Sequence, residues 1–451
     1  MGITRRQFVK RSTAALGAVS LPMFIPSSAF GANDKLNIAV VGVGGRGGAD
    51  AKMFLHEDNV IALCDVDEAW FNRRNGRAKE LRGIKLWKDY RVMYDKIGKQ
   101  IDAIAVGTPD HAHFAPSMFA IRRDKHVYCQ KPLCRSVNEV RVLTEEARKH
   151  KVITQLGNQG HSTRGVANVR DWVQGGCIGD VREVHAFSWK NYCTLAEPVK
   201  GGAIPKTLEW DLWLNRAEKI PFSKSYINRN WIRYSHFSGV VGDMATHILD
   251  PAYYALDLGV PISVMAQVAK PAPPGWTPRS VVITWEFASR GKMPPVTMKY
   301  YLGPDIPRPD VKHIEKGRKV LFMQPRSRLG GSILVGEHAS IMAGEAGEGC
   351  RIFPEATMKA TKKPPEVAYR GNTGNHWNNW TRAIKGKEKA MSQFDYAGPF
   401  AEIVSLGEVA SMHPGRKLLW DSKNMRITND EAANKSTFMR RLAPRDDMKW
   451  I

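Results

Sequence analysis

Cysteine is scarce in this chain. There are six in 451 residues, and no two of them form a C-x-x-C pair. That absence argues against a zinc ribbon and against a thioredoxin-type redox motif. Cys64 and Cys129 end apolar runs and read as small packing residues. Histidines occur at His111, His113, His161, His185 and His236, but none has H-E-x-x-H or comparable spacing, so no metal site is expected. Long apolar runs are missing too. The stretch from Ala14 to Ile25 is too short for a stable membrane span. Acidic residues are outnumbered, 44 against 67 basic ones, and the formal net charge is +23. The bases are scattered, with no zinc-finger spacing, RNA-binding signature or long basic run. This argues against a nucleic-acid partner and for a solvated basic surface. No internal repeat is found.

What is present begins with a targeting pattern. Thr4-Arg5-Arg6-Gln7-Phe8-Val9-Lys10, followed by an apolar region and small residues near Ser27 to Ala32, reads as a twin-arginine signal. Residues 1–32 are therefore expected to direct export to the periplasm or cell envelope. That route carries proteins that have already folded. The remaining length suffices for two or three domains with sizeable cores.

The chain is organised around Leu36-Asn37-Ile38-Ala39-Val40-Val41-Gly42-Val43-Gly44-Gly45-Arg46-Gly47. A β-branched apolar run ends at Gly42, and the glycines at 42, 44 and 47 fit G-x-G-x-x-G. The first permits a tight turn, the second lets a pyrophosphate approach the backbone, and the third lets helix pack on strand. The helix that follows offers its free N–H groups and dipole to negative charge. A second apolar run, Val60 to Cys64, ends at Asp65, 18 residues beyond Gly47, where a carboxylate meets ribose hydroxyls. The acid favours NAD over NADP, although Arg46 and Arg73 offer some compensation for a 2′-phosphate.

Up to Gln155 strands and helices alternate: helix over Glu68 to Arg82, strand over Asp102 to Gly107, helix over Ala115 to Arg123, strand at His126 to Cys129, helix over Val137 to Lys149, strand over Lys151 to Leu156. This predicts a doubly wound parallel sheet in a Rossmann domain spanning 33–155. Beyond Gly157 the pattern changes. A helix over Val166 to Gln174 precedes longer strands at Val181 to Trp189, Val264 to Ala269, Ser280 to Ala288, Val296 to Tyr301 and Ser332 to Met342. An irregular insert, Tyr192 to Ser238, carries Glu209-Trp210-Asp211-Leu212-Trp213. His376 to Lys385 and Pro399 to Met412 read as closing helices. Residues 156–451 are thus expected to form an α+β domain with a large, open, mostly antiparallel sheet.

Taken together, the glycine loop, Thr108-Pro109-Asp110-His111, Lys131-Pro132 and the helix Gly242-Asp243-Met244-Ala245-Thr246-His247-Ile248-Leu249-Asp250 resemble the Gfo/Idh/MocA oxidoreductases. His376-Trp377-Asn378-Asn379-Trp380 resembles the family's exported branch. The resemblance implies NAD-dependent hydride transfer at a carbon bearing oxygen on a sugar, cyclitol or glycoside, and a homo-oligomer. It also allows redox-neutral NAD-dependent glycoside cleavage, or a non-catalytic carbohydrate-binding remnant.

It implies that Gly42, Val43, Gly44, Gly45, Arg46, Gly47, Asp65, Thr108, Pro109, His111, Gln130 and Lys131 meet the cofactor. Such chemistry needs a base for the hydroxyl proton and a group that polarises the oxygen. Lys131 follows a strand end and is the first candidate, with a cis bond to Pro132 expected from the family. Asp243 and His247 are four apart on one helical face and suit a carboxylate that orients an imidazole. Asp250 is expected to be structural. The family's Glu-Lys-Pro reads Gln130-Lys131-Pro132 here, which removes a carboxylate beside the lysine. It either leaves Lys131 more readily neutral or alters the reaction. Asn158, Gln159, His161 and Trp213 are expected substrate contacts, with Trp189, Trp210 and Trp231 as further stacking candidates.

Overall fold

A computed structural model describes residues 35–189, 201–227, 230–315, 320, 323, 330–371 and 375–440. The twin-arginine segment within 1–32 lies outside the described residues. Among them no helix is long and apolar enough to cross a membrane.

The first half alternates as its apolar periodicity requires. The elements are β1 (Asn37–Val41), α1 (Arg46–Phe54), β2 (Asn59–Cys64), α2 (Glu68–Arg74), β3 (Leu86–Trp87), α3 (Tyr90–Ile97), β4 (Ala103–Val106), α4 (Phe114–Ile121), β5 (His126–Cys129), α5 (Val137–His150) and β6 (Thr154–Leu156). Every strand pairing is parallel, in the order β3-β2-β1-β4-β5-β6. The strand order reverses between β1 and β4, so the carboxyl ends of these two strands open a crevice for a ligand.

One expectation fails here, and two elements escape sequence reading. The helix expected over Glu68 to Arg82 ends at Arg74, because Asn75 turns back to the glycine loop and donates its side-chain amide to the Val43 carbonyl at 2.8 Å. The short elements β3 and α3 carry too few apolar residues in register to stand out in the sequence.

The second half contains α6 (Arg164–Gln174), β7 (Glu183–Ser188), α7 (Trp210–Leu214), α8 (Val240–Ile248), α9 (Asp250–Ala255), β8 (Ser263–Val268), β9 (Val281–Phe287), β10 (Val296–Leu302), β11 (Gly331–Val335), β12 (Ser340–Gly344), β13 (Arg351–Phe353) and α10 (Glu355–Ala360). It closes with α11 (His376–Ile384), α12 (Phe394–Met412), β14 (Lys417–Asp421), β15 (Arg426–Ile427) and α13 (Glu431–Asn434). Its nine strands run β13-β12-β11-β7-β10-β9-β8-β14-β15, antiparallel except for β7 beside β10. The apolar run Ser332 to Met342 is not one strand but a hairpin of β11 and β12, with Gly336 and its neighbours making the turn. The alternating burial of β9 marks a one-sided sheet, and α12 packs on its inner face. There the buried Trp285 indole donates to the Ile403 carbonyl at 2.9 Å.

The closing helices also return to the first sheet. Trp380 of α11 is fully buried among Val40, Phe54 and Tyr128. Arg382 pairs with Glu57 at 2.7 Å and Lys385 with Asp58 at 2.5 Å. On α12, Glu402 holds Arg141 of α5 at 2.6 Å.

Candidate active site

The glycine loop has the geometry its spacing predicts. Gly42 sits at φ +83°, and a Cβ there would come within 2.4 Å of the Thr108 backbone nitrogen. A Cβ on Gly47 would lie 2.4 Å from the Gly42 carbonyl oxygen. Both positions therefore exclude any side chain. Helix α1 begins at Arg46 after Gly45 with no side-chain cap, so its first N–H groups remain available to a pyrophosphate. Asp65 reaches back to the loop and accepts from the Gly44 N–H at 2.6 Å and the Asp67 N–H at 3.0 Å. Burial pushes its carboxyl up to about 6.

A cleft of about 490 Å³ runs from this loop to helix α8. Gly42, Gly44, Gly45, Arg46, Asp65, Thr108, Pro109, Gln130, Lys131, Gln159, Trp213, Asp243 and His247 all line it. Val43 and Gly47 lie behind the loop and shape its backbone. The two arginines that would welcome a 2′-phosphate already have partners in or beside the cleft. Arg46 pairs with Asp50 at 3.2 Å, and Arg73 lies over the Trp70 ring at 4.7 Å.

At the far end, Lys131 donates to Asp243 Oδ1 at 2.9 Å and to the Asp243 carbonyl at 2.6 Å. The Lys131–Pro132 bond is cis. The carboxylate expected to orient His247 is thus engaged by Lys131, while His247 lines the same wall one helical turn further along α8. The charge that Gln130 lacks is supplied to Lys131 by Asp243.

Gln130 itself points the other way. Its amide donates at 2.7 Å to Asp50, a buried carboxylate that also accepts from Trp377 Nε1 at 2.9 Å. Burial raises the Asp50 carboxyl above its ordinary range. A glutamate at 130 would bring a second carboxylate against Asp50, so the amide is the side chain that this neighbour accepts. Restoring the family residue by Gln130→Glu is expected to lower stability by about 1–3 kcal/mol. Urea unfolding of the two proteins at neutral pH checks this; equal midpoints would refute it.

Besides Val43 and Gly47, three candidates do not reach the cleft. His111 is 1% exposed and donates Nε2–H to the Trp213 carbonyl at 2.8 Å. Its ring packs on Trp213 and Phe237, so it fastens the aromatic insert rather than the cofactor. His161 is sealed against Asp250 at 2.9 Å, and Tyr396 donates to the same carboxylate at 2.5 Å. This is the structural role expected of Asp250. Asn158 is buried and accepts from Ser392 Oγ at 2.7 Å. Of the tryptophans, Trp213 and Trp231 face the cleft, Trp210 stacks behind Trp213 at 4.9 Å, and Trp189 lies elsewhere beneath Arg308.

The insert closes the adenosine end. Its Glu209 N–H donates to Val66 at 2.9 Å, Glu68 N–H donates to Thr207 at 3.2 Å, and Lys88 pairs with Glu209 at 3.0 Å. Leu212, Trp213, Asn215, Ile227 and Trp231 then form one wall of the cleft. These contacts join a strap from the second half of the chain to the mouth of the first. Among the described residues, no group of three or more His, Cys, Asp or Glu side chains could hold a metal ion.

Sequence reading missed two buried acids beneath the lysine. Asp110 is pushed up to about 7 and Glu408 up to about 8, chiefly by burial. Each binds a proton in the folded chain that it loses near pH 4 when unfolded, so each makes stability fall as pH rises from about 4 towards 8. Buried His111 and His376, held down to about 3, act in the opposite sense, but only below the ordinary histidine value of 6.5. Above pH 7 the carboxyls prevail. The cofactor-free protein is therefore expected to lose stability between pH 7 and 8, and Glu408→Gln to flatten that slope. Urea midpoints across this range decide it; a flat wild-type profile would exclude the effect.

Comparison with known proteins matches residues 36–158 to the oxidoreductase family's NAD-binding Rossmann fold and residues 164–283 to its C-terminal α/β domain. The chain belongs to the Gfo/Idh/MocA oxidoreductase family. It is 28% identical over 160 residues to 2,7-anhydro-N-acetylneuraminate hydratase of Escherichia coli K12, covering 35% of this chain and 41% of that protein. It is 25% identical to levoglucosan dehydrogenase of Pseudarthrobacter phenanthrenivorans over 37% of this chain and 35% of the relative. The matches thus span less than half the length of these relatives. The fold is shared with an inositol dehydrogenase homolog from Azotobacter vinelandii, solved with NADH and myo-inositol. That likeness has a TM-score of 0.57 and 15% identity, over 86% of this chain and 98% of the other.

Proposed function

We propose that this family member is an exported oxidoreductase that retains NAD and moves hydride between it and a hydroxyl-bearing carbon of a sugar, cyclitol or glycoside. The observation that carries the reading is the convergence of Lys131, Asp243 and His247 at one end of a cleft whose other end has the glycine loop and Asp65. Gly44, Gly45 and the uncapped start of α1 would hold the pyrophosphate, and Asp65 the ribose. Bound NAD supplies the hydride acceptor. Lys131 accepts the hydroxyl proton, Asp243 fixes the lysine, and His247 polarises the reacting oxygen. Trp213 and Trp231 offer flat faces to an apolar sugar surface.

The strap at the adenosine end favours a second feature, recycling of the cofactor in place. An exported enzyme meets no expected pool of free NAD, and the twin-arginine pattern points outside the cytoplasm. Oxidation of a sugar hydroxyl acidifies the neighbouring C–H, so a glycosidic oxygen β to it can leave before hydride returns. The name of the hydratase relative fits net chemistry without redox change.

The test is to denature the purified protein, identify the released nucleotide, and incubate intact holoenzyme with polyols, anhydrosugars and glycosides. Recovery of NAD and turnover without added cofactor support the reading. Absence of dinucleotide binding would remove it. Stoichiometric NADH release, with turnover sustained only by added NAD, would establish an ordinary dehydrogenase instead.

A further inference from the structure

The oxidation just proposed releases a proton as well as a hydride. If the hydride is held and returned, the proton must also be kept within reach. The region behind Lys131 contains groups suited to that task.

Asp110 follows β4, is 5% exposed, and lines both the main cleft and a small void behind it. Ser238 donates its hydroxyl to Asp110 Oδ2. The void, about 10 Å³, has room for roughly one water and is also lined by Arg135, Gly239, Gly242 and Glu408. Glu408 arrives from α12, on the far side. Its Oε1 accepts from the Gly242 N–H at 2.9 Å, at the start of the helix bearing Asp243 and His247. Its Oε2 is buried with no hydrogen-bond partner among the described residues. Gly239 is what admits it, since a Cβ there would lie 2.0 Å from the Glu408 carboxyl carbon.

We infer that Asp110 and Glu408 form a buried proton store for the reaction, Asp110 receiving the proton that passes through Lys131 and sharing it with Glu408 across the void. The inference rests on the oxidoreductase reading above. The Lys131 ammonium passes one proton to the Asp110 carboxylate, and the amine so formed takes the alcohol O–H proton while the C–H electron pair would leave as hydride to bound NAD. Return of the hydride reverses both transfers. Glu408 is a positioning partner, since it touches neither substrate nor cofactor.

The surroundings tune the pair. The Lys131 ammonium favours ionised Asp110, and Asp243 opposes it. Backbone N–H groups of Gly242 and Val241 favour ionised Glu408, and a charged Asp110 opposes it. Arg135 lines the void but spends its donors on the carbonyls of Ser235, His236 and Thr437. Two carboxyls held near neutrality by burial, each disfavouring the other's charge, titrate as a unit.

Two measurements on NAD-loaded holoenzyme test this. Infrared difference titration should show a carboxylic-acid C=O band at pH 7 in the wild type. Asp110→Asn should move the remaining Glu408 titration down by about one pH unit or more, since a charged Asp110 is what disfavours ionised Glu408. A capping role for Glu408 alone predicts no such coupling. Loss of the coupling, or no protonated carboxyl at pH 7, would overturn the store. Stopped-flow mixing with levoglucosan or myo-inositol and a pH indicator then counts protons during the first reduction of the cofactor. Wild type should release fewer than one proton per NADH formed, and Asp110→Asn close to one. Equal release from both proteins would overturn the proposal. Failure of both compounds to reduce the cofactor would count against the polyol reading and leave the titration to judge the pair.

Discussion

A folded Lys131→Met protein is expected to keep its NAD and to lose turnover by about 10²–10⁴-fold. Lysine contributes nothing to the glycine loop or to Asp65, so the dinucleotide should remain bound. What disappears is the group proposed above to take the hydroxyl proton, just beyond the end of β5. Methionine preserves length and most of the packing, which separates chemistry from folding. Its loss also leaves the Asp243 carboxylate, now held at 2.9 Å by the ammonium, without that cation. A companion Asp243→Asn variant should keep the packing but weaken the grip on Lys131, with a smaller effect than removal of the base. The measurement is single-turnover reduction of bound cofactor, followed with nucleotide content determined on the same sample. Wild-type rates in the methionine variant would exclude Lys131 as the base.

His247→Ala should have an effect on the same scale, about 10²–10⁴-fold on turnover, again with NAD retained. His247 stands one helical turn beyond Asp243 on α8 and faces the cleft. It should therefore act on the substrate oxygen rather than on the nucleotide. Tight-binding measurements of NAD before and after substitution supply the control. Unaltered turnover in a folded His247→Ala protein would remove the imidazole from the mechanism. Parallel loss of NAD would instead assign it to cofactor binding.

The local parts of this site are legible in the sequence because they are set by neighbours in the chain. The strand, glycine turn and helix around Gly42 to Gly47 need a spacing and a backbone conformation that only certain residues permit. Asp65 ends a strand whose apolar run announces it. Asp243 and His247 share a face because the helical repeat places them there. What escapes is every relation between distant segments. The lysine that holds Asp243 is 112 residues away, and no periodicity links them. The acid that explains Gln130 lies 80 residues earlier on α1. His161 reads as a ligand until Asp250 and Tyr396 are seen to enclose it. A polar residue at a strand end looks alike whether it faces a cleft or a buried partner. Likewise, the turn inside Ser332 to Met342 is too short to interrupt an apolar pattern, so a hairpin reads as one strand.

The return of α11 to the first sheet sets the timing of the molecule's assembly. Strands β1 to β6 leave the ribosome early, yet the apolar face that they share with Ala51, Phe54 and Phe71 is not fully covered until Trp380 has been synthesised. Until then Asp58 lacks Lys385 and Asp50 lacks Trp377. A nascent chain halted before residue 376 would carry its nucleotide-binding half with an open flank and two buried acids short of partners. Such a product is a substrate for chaperones and proteases. Closure of this core thereby waits on the last part of the chain, and a prematurely terminated chain is marked by its own exposed apolar surface.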